Sequence, residues 1–192
     1  MTTSSDLRKS AIRARRSLSA EQRENASSKI CARIIHSHEF MSCKTIACYL
    51  PADDEVDPTA IIERAWRATK RVFAPVIDIR GNMIFRELTP NTELNRNYFG
   101  LWEPVSGKPI SAKAIDLVIA PLAAFDDQCH RIGMGGGYFD RSFSFLGHRR
   151  RWLRPKLIGL AFDCQKATRI SPNPWDVRLY QVVTESSQIN SY

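Results

Sequence analysis

The segment that folding alone explains least is Arg131-Ile132-Gly133-Met134-Gly135-Gly136-Gly137-Tyr138-Phe139-Asp140-Arg141. Four of the five residues from 133 to 137 are glycine, and ordering glycine costs more backbone entropy than ordering any other residue. Such a loop makes sense where the main chain must approach a ligand closely. Successive N–H groups there form an anion-binding concavity, and a helix starting just beyond adds positive potential. Arg131 and Arg141 flank the loop and can pair with phosphate oxygens. Asp140 can hold a magnesium ion, which bridges phosphates through carboxylate and water. The loop departs from two familiar patterns. Tyr138 stands where G-x-G-x-x-G has its last glycine, and no G-K-[S/T] follows, so it is neither the dinucleotide fingerprint nor a Walker P-loop.

Other reactive residue types carry less. The five cysteines (Cys31, Cys43, Cys48, Cys129, Cys164) are odd in number and contain no Cys-x-x-Cys. That argues against a disulfide framework or a zinc site and for reduced thiols acting as small apolar residues. Cys129 adjoins His130, but chain neighbours rarely face each other, so the pair is not expected to be a nucleophile and base. His148-Arg149-Arg150-Arg151-Trp152 is basic with an adjoining aromatic, a pattern shared with nucleic-acid binders. No zinc-finger spacing or RNP-like pattern accompanies it, and the run reads as a solvated face.

These residues need a frame, and the apolar pattern supplies one. Leu7, Ala11, Ala14 and Leu18 recur at helical spacing. Ser19-Ala20-Glu21-Gln22 has the form of a capping box, opening a second helix to about His36. Residues 45–50 read as a strand ended by Pro51. Asp57-Pro58 reads as a helix cap with proline at the first position, and that helix runs to about Thr69. Residues 71–77 and 83–88 read as strands joined by a turn at 80–82, as in a hairpin. Residues 89–115 read as mostly loop. The continuous apolar run from Asp116 to Ala120 predicts a strand buried on both faces. A loop at 125–137 precedes a helix at 138–147, and strands follow at 157–162 and 180–184. Strands alternating with helices predict an α/β domain with a largely parallel sheet. The glycine loop follows the buried strand, and ligands of open α/β sheets bind beyond strand C-termini.

The chain has 192 residues, a length that fits one domain. Its 43% hydrophobic content fits a packed core, not disorder. No stretch approaches the roughly 20 apolar residues of a membrane helix, and no apolar segment of secretory type follows the N-terminus. A cytoplasmic location is expected. The formal net charge of +8 attracts anions of every kind, nucleic acid, phosphorylated ligands and carboxylated ligands alike.

The run Asp116-Leu117-Val118-Ile119-Ala120-Pro121-Leu122-Ala123-Ala124-Phe125-Asp126, followed by Arg131 to Arg141, resembles the signature of the 5-formyltetrahydrofolate cyclo-ligases. Further segments match in the same order. They include the arginine-rich first helix with Leu18 to Gln22, Leu50 with Asp54-Glu55-Val56-Asp57, and Leu101-Trp102-Glu103-Pro104. Ile158 to Asp163 and Trp175-Asp176 through Thr184 complete them. The resemblance implies a single-domain Rossmann-like fold, an open, largely parallel sheet with helices on both faces. It implies ATP- and Mg2+-dependent cyclisation of 5-formyltetrahydrofolate, with or without a polyglutamate tail, to 5,10-methenyltetrahydrofolate. It places ATP on Arg8, Arg131, Ile132, Gly133, Met134, Gly135, Gly136, Gly137, Tyr138 and Phe139. It places the folate on Leu50, Glu55 and Met134 to Tyr138, and the metal on Asp140 and Asp176. Arg131, Arg141 and Tyr138 are the side chains expected to act at the transferred group. A monomer is expected.

The chain departs from the family pattern at Ser4, where a basic residue is common, so that phosphate contact is either missing or supplied by Lys9 or Arg13. Trp175 stands where relatives often carry His or Asn, and Arg178 where proline or lysine is common. Three rival readings differ in class. Nucleic-acid binding predicts salt-sensitive retention of nucleic acid. A related ligase acting on another formyl or carboxyl group would reshape the pocket of Leu50, Glu55 and the 95–104 loop. An NAD(P) oxidoreductase is disfavoured by Tyr138.

Overall fold

The computed structural model describes residues 3–148 and 154–191. Local capping signals start the helices. Helix α1 (Ser4–Arg16) opens with Thr3 and Asp6 capping each other's backbone N–H. Helix α2 (Ala20–Ile35) opens on the Ser19–Gln22 capping box. A short helix, α3 (His38–Ser42), follows and was not foreshadowed by any periodicity, since five residues are too few to show one. Helix α4 (Thr59–Arg67) starts one residue later than Asp57-Pro58 suggests, with Pro58 itself at the N-cap. The Asp57 carboxylate still caps, accepting from the Thr59 N–H at 2.9 Å.

Five parallel strands form the centre of the sheet: β1 (Thr45–Cys48), β2 (Arg71–Ile77), β7 (Leu117–Pro121), β10 (Lys156–Leu160) and β11 (Gln181–Val183). Three antiparallel strands finish its edges: β3 (Met83–Glu87), β6 (Pro109–Ile110) and β12 (Gln188–Asn190). The order is β12-β11-β10-β7-β1-β2-β3-β6. The hairpin read at 71–88 is present as β2 and β3, in antiparallel register from Phe73↔Glu87 to Ile77↔Met83.

Two segments read as loop contain short strands. Residues 89–115 hold β4 (Leu94–Arg96), paired with β5 (Trp102–Pro104), and the edge strand β6. Residues 124–132 form a second small hairpin, β8 (Ala124–Phe125) with β9 (Arg131–Ile132). Strands of two or three residues show no alternation, so only their pairing defines them.

Alternate residues of the central strands serve two cores. Ile46, Cys48, Leu117 and Ile119 pack with Ile30, Ile34, Ile61 and Ile62 of α2 and α4 on one face. Ala47, Val118 and Ala120 pack with Phe143 on the other. Phe143 belongs to α5 (Tyr138–Phe143), which ends four residues earlier than the sequence suggests and passes into a 3-10 turn, Ser144–His148. The two faces are thus unequally clothed, long helices on one and one short helix with turns on the other. Helix α1 packs through Ala11 on Ala124, Ile132 and Ile170 at the sheet's end, away from both faces. No helix among the described residues is long and apolar enough to cross a membrane.

Candidate functional site

Chain order fixes where a crevice must open. From β1 the chain crosses to β2 on one side, while β7, on β1's other side, continues to β10 and β11. The connections therefore diverge between β1 and β7, and the ends of such strands cannot be covered by one crossover. Leu50 and Glu55 follow β1 at that point. The β8–β9 hairpin after β7 delivers the glycine loop to the same place.

The loop is held by one arginine from α1 and one that follows it in the chain. Arg8 Nε donates to the Gly133 carbonyl at 2.8 Å, and Arg141 Nη1 donates to the Gly136 carbonyl at 2.9 Å. In a trans peptide the C=O and the following N–H point opposite ways. Holding those two carbonyls therefore turns the N–H groups of Met134 and Gly137 away from the arginines. None of the N–H groups from Gly133 to Gly137 donates to another described residue. They are the free donors that an anion nest needs. Gly135 (φ +113°) and Gly137 (φ +63°) adopt left-handed backbone, which side-chain-bearing residues resist.

Two cavities meet at this loop. A polar one of about 460 Å³ is lined by Ser4, Arg8, Arg131, Ile132, Gly133, Gly135, Gly137, Asp140, Arg141, Trp175 and Asp176 among others. A smaller, mainly apolar one of about 160 Å³ is lined by Leu50, Glu55, Met134, Gly136, Tyr138 and Phe139. Pro75, Ile77, Met83, Phe99, Leu101 and Trp102 complete its apolar lining. Arg131, Gly133, Gly137 and Asp140 line both. Neither Lys9 nor Arg13 lines the polar cavity, so the place left by Ser4 has no basic replacement from α1 beyond Arg8.

Individual groups are committed to different degrees. Arg131 is 8% exposed, and its guanidinium is spent inside the protein, donating to the Val177 carbonyl and to Asp140 Oδ1 at 2.8 Å. It anchors α5 rather than offering a free fork to a ligand. Asp140 Oδ1 also accepts from the Val177 N–H at 3.0 Å. Both bonds land on Oδ1, so Oδ2 is the oxygen left for a cation. Asp176 Oδ2 accepts from Asn173. Among the described residues no three His, Cys, Asp or Glu gather as a metal cage. Two carboxylates on one phosphate-sized cavity nevertheless suit magnesium, which keeps waters and takes phosphate oxygens for the rest.

Glu55 is nearly buried, its side chain 8% exposed. Burial pushes its carboxyl above the usual range, opposed by the Ala52 N–H at 3.1 Å and by the Arg15 guanidinium at 3.8 Å. Tyr138 stands edge-on to Phe99, ring centroids 6.3 Å apart, with the Arg141 guanidinium 4.9 Å from its ring. Cys129 is no nucleophile. Burial pushes its thiol up to about 11, it bonds the Ile189 carbonyl, and His130 is turned to Asp126. The Arg149–Arg151 run lies outside the described residues.

Two parts of the site had no sequence signal of their own. The wall from Pro75 to Met83 reads only as a hairpin. Arg15, 1% exposed, is indistinguishable in the sequence from the solvated arginines around it.

An anion nest joined to an apolar cavity at the switch point of a largely parallel sheet defines an α/β protein with a candidate ligand crevice beyond its strand ends. Residues 1–185 match the model of the 5-formyltetrahydrofolate cyclo-ligase family, and the chain belongs to that family. It is 34% identical over 176 residues to the 5-formyltetrahydrofolate cyclo-ligase of Escherichia coli (strain K12), covering 90% of this chain and 94% of that one. It is 30% identical over 175 residues to that of Haemophilus influenzae, covering 88% and 90%. The NMR structure of Aquifex aeolicus 5,10-methenyltetrahydrofolate synthetase matches with a TM-score of 0.83, over 97% of this chain and 92% of that one, at 28% identity. A 5,10-methenyltetrahydrofolate synthetase from Mycoplasma pneumoniae matches with a TM-score of 0.74 over 95% and 98%, at 24% identity.

Proposed function

We propose that the chain closes 5-formyltetrahydrofolate to 5,10-methenyltetrahydrofolate at the expense of ATP, releasing ADP and phosphate. The nucleotide's phosphates occupy the polar cavity and the folate ring system the apolar one. The observation that carries this assignment is the shared wall: Arg131, Gly133, Gly137 and Asp140 line both cavities. A phosphoryl group cradled on one side of the glycine loop then lies against a ring held on the other, which is the alignment that phosphoryl transfer requires.

A formamide oxygen is a poor leaving group and a phosphate a good one. The γ-phosphoryl bond to ADP breaks as a bond to the formyl oxygen forms. N10 then attacks the formyl carbon and sheds its proton, and the C–O bond breaks to release phosphate. No protein nucleophile enters this sequence. The loop N–H groups and the remaining Nη donors of Arg8 and Arg141 bind the phosphates. Arg131 holds Asp140 in place, and Tyr138 with Met134 walls the folate from water. Asp140 and Asp176 would hold magnesium, which supplies charge neutralisation on the phosphate oxygens.

Mixing the protein with magnesium–ATP and 5-formyltetrahydrofolate should produce the absorbance of the methenyl product together with equimolar ADP and phosphate. Phosphate release without methenyl absorbance would assign the ATP site to a different acceptor. A panel of other formyl compounds would then identify it.

A further inference from the structure

Burying an arginine is costly unless its charge and donors are put to use. Arg15 is 1% exposed, yet its arrangement is not that of a complete structural ion pair. Nε donates to Asp54 Oδ2 at 3.3 Å, and Nη2 lies 3.0 Å from the same oxygen. Nη2 nevertheless has no hydrogen-bond partner among the described residues, being out of line for that contact. Nη1 reaches toward Glu55 Oε1 at 3.8 Å. Arg16, 69% exposed at its side chain, already gives Asp54 a hydrogen bond at 3.0 Å. Neutralising Asp54 therefore does not by itself require Arg15 to be buried. The second carboxylate that Arg15 faces is the one lining the apolar cavity.

We propose that Arg15 is a positioning residue of that cavity: its buried guanidinium pins the 51–57 turn to α1 and fixes Glu55 as the carboxylate acceptor for the pterin N–H groups. The proposal rests on the reading of the apolar cavity as the folate site. Arg16 also ties the turn to α1 through Asp54, and the turn's backbone is held by Tyr49 Oη to the Val56 carbonyl, by the Asp57 N–H to Ser27 and the Cys31 thiol to the Asp57 carbonyl from α2, and by the Glu55 N–H to the Ala52 carbonyl. These contacts leave the Glu55 carboxylate to the Ala52 N–H and Arg15. The charged and titratable groups around Glu55 are Arg15 from α1, Asp54 from its own turn and Tyr49 just after β1, while Arg23, Glu24, Cys31 and His36 of the α2 segment and Asp53 and Asp57 of the turn share a second, open cavity with it. Cys164 lies within electrostatic reach of Arg15, and Arg131, Asp140 and Glu103 lie elsewhere on the cavity wall. Arg15 is the nearest cation, so its loss should leave Glu55 more readily protonated.

The test measures dissociation constants for 5-formyltetrahydrofolate and for ATP by calorimetry from about pH 5 to 9 on Glu55→Gln, Arg15→Met, Arg15→Lys and the Arg15→Met/Glu55→Gln double variant. In the parent, folate affinity should rise with pH as Glu55 ionises. In Arg15→Met the midpoint of that rise should move up by about one pH unit or more, the effect of removing an adjacent opposite charge. At pH 7 folate binding should then weaken roughly tenfold, while ATP binding stays within about twofold. Adding Arg15→Met to Glu55→Gln should cost folate binding no more than about twofold further, because the two residues act through one contact. Arg15→Lys keeps the charge and loses the fork, so its midpoint should match the parent and its affinity fall several-fold.

An unshifted midpoint in Arg15→Met, or losses that multiply in the double variant, would overturn the proposal. If Arg15→Met does not fold, parent-like folate affinity in Arg15→Lys overturns it instead. Unchanged folate affinity in Glu55→Gln would mean that the folate reading of Glu55 itself has failed. A failure confined to the Arg15 variants leaves that reading standing.

Discussion

The carboxylates at the site differ in what their burial does. Glu55 sits where its charged form is disfavoured by burial, so its folded pKa lies above the unfolded value of about 4.3. The native state then binds the proton more tightly than the unfolded state. The group's stabilising contribution is complete at low pH and is lost as pH rises through that raised value. At neutral pH the ionised Glu55 therefore carries a cost in stability. Glu55→Gln should weaken folate binding roughly 10- to 100-fold, the loss of one charged hydrogen bond, with ATP affinity unmoved. The same variant should match or exceed the parent's urea midpoint at pH 8, with a smaller advantage at pH 5. A midpoint below the parent's at pH 8 would mean that ionised Glu55 stabilises the fold. Asp140 differs in its partner, a guanidinium that is itself buried. Asp140→Asn should raise the magnesium concentration for half-maximal turnover. It should also cost about 1–3 kcal/mol in a denaturation measurement, since Arg131 loses its charged acceptor. A magnesium titration matching the parent's would take Asp140 out of the metal shell.

At the scale of elements, the glycine loop and β10 show two different uses of glycine. A Cβ built at Gly136 would lie 2.5 Å from the Tyr138 ring. Gly136→Val must therefore displace a wall of the apolar cavity besides crowding the anion nest. ATP and folate affinity should both drop at least tenfold by calorimetry, while far-ultraviolet circular dichroism and the urea midpoint stay near the parent's. Parent-like ATP affinity would show that the loop backbone does not cradle phosphate. Gly159 of β10 lines neither cavity, and a Cβ there would fall 2.6 Å from both Leu122 Cδ2 and Leu179 Cδ1. Both leucines are buried in one core. Gly159→Ala overpacks that core and should cost about 1–3 kcal/mol of unfolding free energy with ligand affinities retained. An unchanged midpoint would mean that the core yields there.

Across the whole molecule, the positive balance and the placement of the site act together. The net charge is +8, and the ligands proposed for both cavities are multiply anionic. A field of that sign speeds the encounter with anions, and salt screens it with a Debye length of about 8 Å at physiological ionic strength. Stopped-flow association of magnesium–ATP should slow several-fold as salt is raised from about 0.05 to 0.5 M, with dissociation changing less. An association rate independent of salt would confine the role of charge to the cavity itself.

The residues by themselves determined the frame and singled out the glycine loop as the candidate site. Capping boxes, the Arg71–Ile77 strand and the apolar run before Pro121 are local signals, because helix caps and buried parallel strands are chosen within a few residues of chain. The glycine loop is equally local, since backbone freedom concentrated between arginines has few uses other than an anion. What the sequence could not contain is which side chains face inward from separate elements. Arg8, Arg13, Arg15 and Arg16 are alike as residue types, yet α1's docking at the sheet's end turns one to the glycine loop and buries another against Asp54 and Glu55. Arg131 looked available to phosphate and is instead bonded inward to Asp140 and Val177, because β9 and the segment before β11 meet only in the folded chain. The β4–β5 and β8–β9 pairs, too short to carry a period, exist only through their partners. Burial and partnership are properties of pairs distant in sequence, and only the tertiary structure brings those pairs together.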